Sequence, residues 1–265
     1  MSAVRPPAVA GLFYPADPRD LADEVRSLIA AVDVPDGAPA PKAVIAPHAG
    51  YVYSGSTAAV AYAHLARAAA LVRRIILLGP THRVAVRGMA LPGVSGLATP
   101  LGVVTVDGGG TATAGRFRQV VTRPDVHAQE HSLEVHLPFL QTVFEGASVV
   151  PFAVGDVRPG AVADVLEALW GGDETVVVVS SDLSHYLPYE TAREADSRTL
   201  ARITDLDPDL GPHDACGARP VNGLLALARR RGMTATVLRA CNSGDTAGDR
   251  RRVVGYAAVA FEETA

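Results

Sequence analysis

The sequence predicts an α/β fold: a single domain over residues 1–265, with a central, largely buried mixed sheet flanked by helices. Two observations predict it. Apolar runs of strand length alternate with stretches of helical periodicity along almost the whole chain. The most pronounced run, Thr175–Val179 (TVVVV), is continuous and β-branched, the pattern of a strand covered on both faces. No internal repeat, low-complexity tract or linker divides the 265 residues, a length that one core can serve.

The elements follow in order. Asp17-Pro18-Arg19-Asp20 reads as a helix start, with a capping aspartate and a proline in the first turn. Leu21, Val25, Leu28 and Ile29 then recur at helical spacing. Ala43–Ala46 (AVIA) is a short buried strand followed by the loop PHAGYVYSG, and Thr57–Leu71 is a helix of small residues. Arg74–Leu78 (RIILL) is a second strand, followed by GPTHR. MALPG, LATPLG and VVTVD are short and turn-rich, which predicts a hairpin-like insertion. EHSLEVHLPFLQTVF runs from a loop into a helix, Ser148–Val154 is a strand, and Pro159–Trp170 is an amphipathic helix. Thr175–Val179 leads into SSDLSHY, and two helices are expected over about 189–203 and 214–231. Thr234–Leu238 and Val253–Phe261 close the chain as strands.

Composition narrows the function classes. Hydrophobic residues make up 48% and charged residues 20%, as in an ordinary globular protein. The net charge of −4 comes without a basic block, which argues against nucleic acid. No apolar run approaches the ~18 residues of a membrane span. Prolines interrupt MSAVRPPAVAGLFYPADP, where a signal peptide needs a continuous apolar segment. Two cysteines, Cys216 and Cys241, form neither a disulfide framework nor a CxxC pair. A cytoplasmic protein is expected.

The eight histidines carry more information. His48 and His82 each follow a strand and a proline, Pro47 or Pro80. In open α/β sheets ligands bind beyond the carboxyl ends of strands, and neutral imidazole ligates iron, copper and zinc. Each histidine could also be a hydrogen-bonded turn residue; their parallel placement favours metal. His127, Glu130, His131, Glu134 and His136 crowd one run, but it is not HExxH, and a spacing of five does not place His131 and His136 on one helical face. A substrate-binding or supporting role is expected for Glu130, His131 and His136, with Tyr51 of PHAGYVYSG counted beside them. In SSDLSHY, Asp182 and His185 would share a face if a helical turn begins at Ser181, coupling as an acid/base pair. GxSxG, Walker A and GxGxxG are all absent. The stretch ACNSGDTAGD offers Cys241, Asp245 and Asp249 as an anionic third ligand.

Taken together, GLFYPADP, PHAGYVYSG, GPTH, EHSLEVHLPFLQ, SSDLSHY and NSGDTAGD…VVGYAAVAF, in this order, resemble the Memo family over Gly11–Phe261. Its prokaryotic members are known as AmmeMemoRadiSam system protein B. The resemblance implies a class III extradiol dioxygenase-like fold. It also implies a metal, iron or copper, on His48 and His82, a third ligand near the C-terminus, and Asp182 with His185 beside it. Animal members use a cysteine as third ligand, and that position aligns near Asp245 rather than Cys241. Two histidines and one carboxylate would bias the site toward Fe(II).

Two functions of different class follow. One is a non-heme iron or copper oxidoreductase that activates oxygen toward an unidentified substrate, with His185 as acid or base. The other is a non-catalytic binding module, partner to a radical-SAM protein of the same system. A zinc hydrolase is a third reading, disfavoured by the missing HExxH.

Overall fold

A computed structural model of the chain describes residues 3–264. The strands are β1 (Val4–Arg5), β2 (Ala43–Ala46), β3 (Arg74–Pro80), β4 (Met89–Leu91), β5 (Gly96–Thr99), β6 (Gly102–Thr105), β7 (Val120–Thr122), β8 (Ser148–Val154), β9 (Thr175–Ser180), β10 (His185–Leu187), β11 (Thr234–Asn242) and β12 (Val253–Glu262). The helices are α1 (Pro18–Ala30), α2 (Tyr51–Leu65), α3 (Gly108–Ala114), α4 (Pro124–Ala128), α5 (Leu137–Val143), α6 (Pro159–Leu169), α7 (Tyr189–Thr204) and α8 (Ala218–Arg230).

Nine strands form the main sheet in the order β10-β12-β2-β9-β3-β8-β4-β7, with β11 paired to β12. It is mixed: β2, β9, β3 and β8 are parallel, while β12 runs antiparallel to β2 and β4 antiparallel to β8. Side chains of the central strands alternate between two cores. Val44, Ile75, Leu77, Val176 and Val178 face α1, α2 and α5, while Ile45, Ile76, Leu78, Val177 and Val179 face α6 and α8. Both faces are dry, which is why β2 and β9 read as unbroken apolar runs.

Asp17 caps α1 as expected, accepting from the N–H groups of Arg19 and Asp20. The middle segment departs in part. β5 and β6 form a hairpin that adds to β1 in a separate three-stranded sheet, while β4 joins the main sheet. The helix expected from Thr57 begins at Tyr51. Gly50 supplies no side-chain cap there, and tertiary contacts fix the first turn instead: the Tyr51 N–H donates to Phe13 O and its hydroxyl to Val135 O. No helical turn begins at Ser181; His185 lies in the short strand β10.

Strands β2, β9, β3 and β8 all point one way. Beyond β2, β9 and β3, which are neighbours, come His48, Asp182 and His82 respectively. The topology thus delivers three distant segments to one edge of the sheet. Among the described residues no helix is long and apolar enough to cross a membrane.

Candidate metal centre

A cavity of about 1100 Å³ opens at this edge, and His48, His82, His131, Asp182, His185 and Cys216 are among the residues that line it. His48 is buried. Its backbone N–H donates to Asp182 Oδ1 at 2.8 Å, and its Nδ1 lies 2.6 Å from Ser180 Oγ. Ser180 gives its own hydroxyl proton to Ser132 O at 2.6 Å. Ser180 therefore accepts from His48, which puts the imidazole proton on Nδ1 and leaves the Nε2 lone pair free. That lone pair faces Cys216 Sγ at 3.3 Å.

His82 is fixed in the same sense. Its Nδ1 lies 2.9 Å from Glu130 Oε1, and its backbone N–H donates to Glu130 Oε2. Burial alone would raise the Glu130 carboxyl, but hydrogen bonds from the His82 side chain and backbone and from Ser132 outweigh it and bring it down to about 2. An ionised Glu130 holds the His82 proton on Nδ1 and again frees Nε2. A carboxylate or hydroxyl behind each imidazole is the usual support of a metal-ligating histidine.

The ligand atoms of His48, His82 and Cys216 all lie within 4.8 Å of one another. The Nε2 to Sγ spacing of 3.3 Å is close to what two ligands of one tetrahedral ion require, given metal–ligand bonds of about 2.0–2.3 Å. Burial, and after it the neighbouring histidines, holds His48 well below the usual imidazole value, so it is neutral and ready to ligate. Burial also pushes the Cys216 thiol up, and Asp182 adds to this; a bound cation reverses that balance. The donor set therefore fits a metal ion.

Asp182 and His185 also come together around Cys216, within 4.8 Å. Burial raises the Asp182 carboxyl to about 7 in spite of N–H groups from His48 and Ala49. His185 Nδ1 donates to Leu183 O at 2.8 Å, leaving Nε2 free, and burial lowers its pKa. His131 stacks on His82, with ring centroids 4.6 Å apart, and burial lowers it to about 4.

Other expected residues fall elsewhere. Asp245 is not brought to the histidines. Its carboxylate accepts from the Tyr189 hydroxyl at 2.5 Å and from the Asn242 N–H at 3.0 Å, closing a capping box on the turn Ser243–Asp245. Local donors satisfy it, and the thiol that the fold places within 4.8 Å of the His48 and His82 ligand atoms is that of Cys216. Cys241 lies in β11, with Sγ 3.1 Å from Thr57 Oγ1. Of that stretch, Ser243, Gly248 and Asp249 reach the cavity wall, and Asp249 is paired with Arg251. His136 sits in the core on the Tyr62 hydroxyl, and Tyr51 is buried under Val135; neither lines the cavity. Glu130 lies behind the histidines.

Cys216 is the residue that sequence reasoning missed. Its one signal is Gly217. A Cβ there would stand 2.6 Å from both Ser180 O and Ser181 Cβ, so only glycine lets this loop press against the end of β9 and deliver the thiol.

Fold and site together define an α/β protein with a histidine- and thiol-lined cavity, able to hold a metal, at the carboxyl edge of its sheet. The model of the Memo-like protein family matches residues 5–260. A MEMO1 family protein of Ignicoccus hospitalis is 37% identical, covering 97% of this chain and 98% of its own. Similar proteins from Methanopyrus kandleri and Aquifex aeolicus are 36% and 33% identical, each over 97% of this chain and 98% and 99% of their own. The chain belongs to the Memo family, which shares the extradiol dioxygenase fold.

Proposed function

We propose that this Memo-family protein is a metal-dependent redox enzyme that activates oxygen toward an organic substrate held in the cavity, with the ion on His48, His82 and Cys216. The observation that carries the reading is the pair of imidazoles whose Nδ1 atoms are tied down, by Ser180 and Glu130, beside a thiol 3.3 Å from His48 Nε2. Two imidazoles and a thiolate make a softer set than two histidines and a carboxylate. They favour copper, iron or zinc over magnesium or calcium. Bound there, copper or iron supplies Lewis acidity, electron transfer and open coordination positions.

The chain's own groups would do the rest. His185 Nε2 takes a proton from substrate, its ring oriented by the Nδ1–H bond to Leu183 O. Asp182 would orient the cluster, its carboxylate accepting from the His48 N–H at 2.8 Å with Oδ2 4.0 Å from His48 Nε2. Phe13 and Tyr53 line the cavity and would give a substrate an apolar wall.

The test is purification without air, elemental analysis, and reconstitution with Fe(II) and with Cu(I). Stoichiometric binding, oxygen consumption by the loaded protein, and loss of both in His48→Ala and His82→Ala are expected. A protein that stays empty on reconstitution sinks the reading, and full occupancy by zinc with no oxygen uptake replaces it with a hydrolase.

A further inference from the structure

A second cavity, of about 490 Å³, opens on the same edge of the sheet beyond β8 and shares no lining residue with the first. Its walls carry Arg87, Arg118, Arg158 and Arg219, with Asp156 and Asp164. Both carboxylates are already engaged. Asp156 pairs with Arg219 at 2.9 Å, and Asp164 pairs at 2.7 Å with Arg230, which lies outside the cavity. Among the described residues Arg87, Arg118 and Arg158 form no ion pair. Three guanidinium groups facing one cavity repel one another, in a chain whose net charge is −4.

The floor beneath them is rigid. Gly88 N–H donates to Asp156 O at 2.9 Å, Gly155 N–H to Gly88 O at 2.9 Å, and Asp156 N–H to Val86 O at 2.8 Å. Gln119 Nε2 ties the adjoining wall to Ala161 O at 2.9 Å. α6 starts directly after Arg158 with no acidic residue in its first turn, so its positive end adds to the same field.

We propose that this cavity binds a small phosphate-bearing anion. Guanidinium forks match phosphate oxygens in a bidentate manner. The cavity is open, its arginines are exposed to solvent, and its volume of about 490 Å³ is that of a small-molecule site. The site also adjoins the metal cluster through the chain: His82 and Arg87 share the loop between β3 and β4, and Arg219 stands three residues after Cys216.

The experiment is calorimetric titration of inorganic phosphate and of pyrophosphate into the full chain at physiological ionic strength, as purified and after chelation. Binding that survives chelation is independent of any metal. Arg118→Glu/Arg158→Glu should weaken the Kd at least about tenfold. The exposed pair Arg19→Glu/Arg67→Glu, which changes the net charge equally at a distance, should leave it within about twofold. Circular dichroism checks that each variant is folded. Tighter pyrophosphate binding identifies a polyphosphate ester as the ligand type, and equal affinities identify a single phosphate group. No saturable binding of either anion up to about 10 mM overturns the site. So does equal weakening in the distant pair, or binding of a polyglutamate peptide without pyrophosphate.

Discussion

Cys216 Sγ stands 3.3 Å from His48 Nε2, although the two residues are 168 positions apart in the chain. Asp182 packs against both: its N–H donates to the thiol sulfur at 3.3 Å, and its carboxylate accepts from the His48 N–H at 2.8 Å. The thiol is therefore positioned as part of the histidine cluster. Replacing it should be far more damaging than altering the C-terminal loop. Cys216→Ala is expected to weaken Cu(I) or Fe(II) binding by more than about 100-fold, exceeding the 10- to 100-fold typical of outer-shell changes. Asp245→Ala and Cys241→Ser should stay within about twofold. Competition with a chromogenic chelator measures all three, and loss of metal in Asp245→Ala would return the third position to the C-terminal loop.

Glu130 accepts from four donors: His82 Nδ1, and the backbone N–H groups of His82, His131 and Ser132. A carboxamide has one acceptor oxygen and cannot satisfy them all. Glu130→Gln should therefore weaken metal binding about 10- to 100-fold while leaving the ligand set intact. Added imidazole should not restore binding, because no ligand is missing. An unchanged affinity would mean that His82 is held by other contacts.

Much of this was legible in the sequence. Thr175–Ser180 is buried at every position, so its β-branched run could only be a central strand. His48 and His82 were legible because each follows a strand and a proline, Pro47 or Pro80, and the ends of two parallel strands lie at one sheet edge. Cys216 was hidden because its role depends on a long-range contact and on a glycine that looks like ordinary turn chemistry. Asp245 misled for the opposite reason: a Ser-Gly-Asp turn satisfies its own carboxylate, so proximity in sequence to the cavity wall says nothing about the metal. His136 shares a run with His131, but a spacing of five turns it inward to Tyr62.

Arg5 fastens the N-terminal segment to the histidine loop. Its guanidinium donates to His127 O at 2.6 Å, to Glu130 O at 2.7 Å and to Glu134 Oε2 at 2.7 Å. Glu134 also accepts from the N–H groups of Ala8 and Val9 and from the Tyr14 hydroxyl. Arg5→Met keeps the bulk but leaves Glu134 buried without its cation. A loss of about 3–5 kcal/mol in urea unfolding is expected. The Arg5→Met/Glu134→Gln double variant should recover part of it, because the uncompensated charge is gone. Equal losses in both variants would show that lost packing, not the buried charge, sets the cost.

His136 is fully enclosed beside Tyr62, and its Nε2 has no hydrogen-bond partner among the described residues. Burial lowers its pKa from 6.5 to about 3. The unfolded chain therefore binds a proton that the folded chain refuses between those values. Stability therefore falls as pH drops below about 6.5 and levels off only near pH 3 for this group. His127, lowered to about 4 by burial, acts in the same direction. Asp182, raised to about 7, acts in the opposite one over part of the range. His136→Gln keeps a partner for the Tyr62 hydroxyl and removes the titration. Its urea midpoint, followed from pH 7 to pH 4, should decline less steeply than that of the native chain. Parallel curves would mean that His136 takes up its proton without unfolding the core.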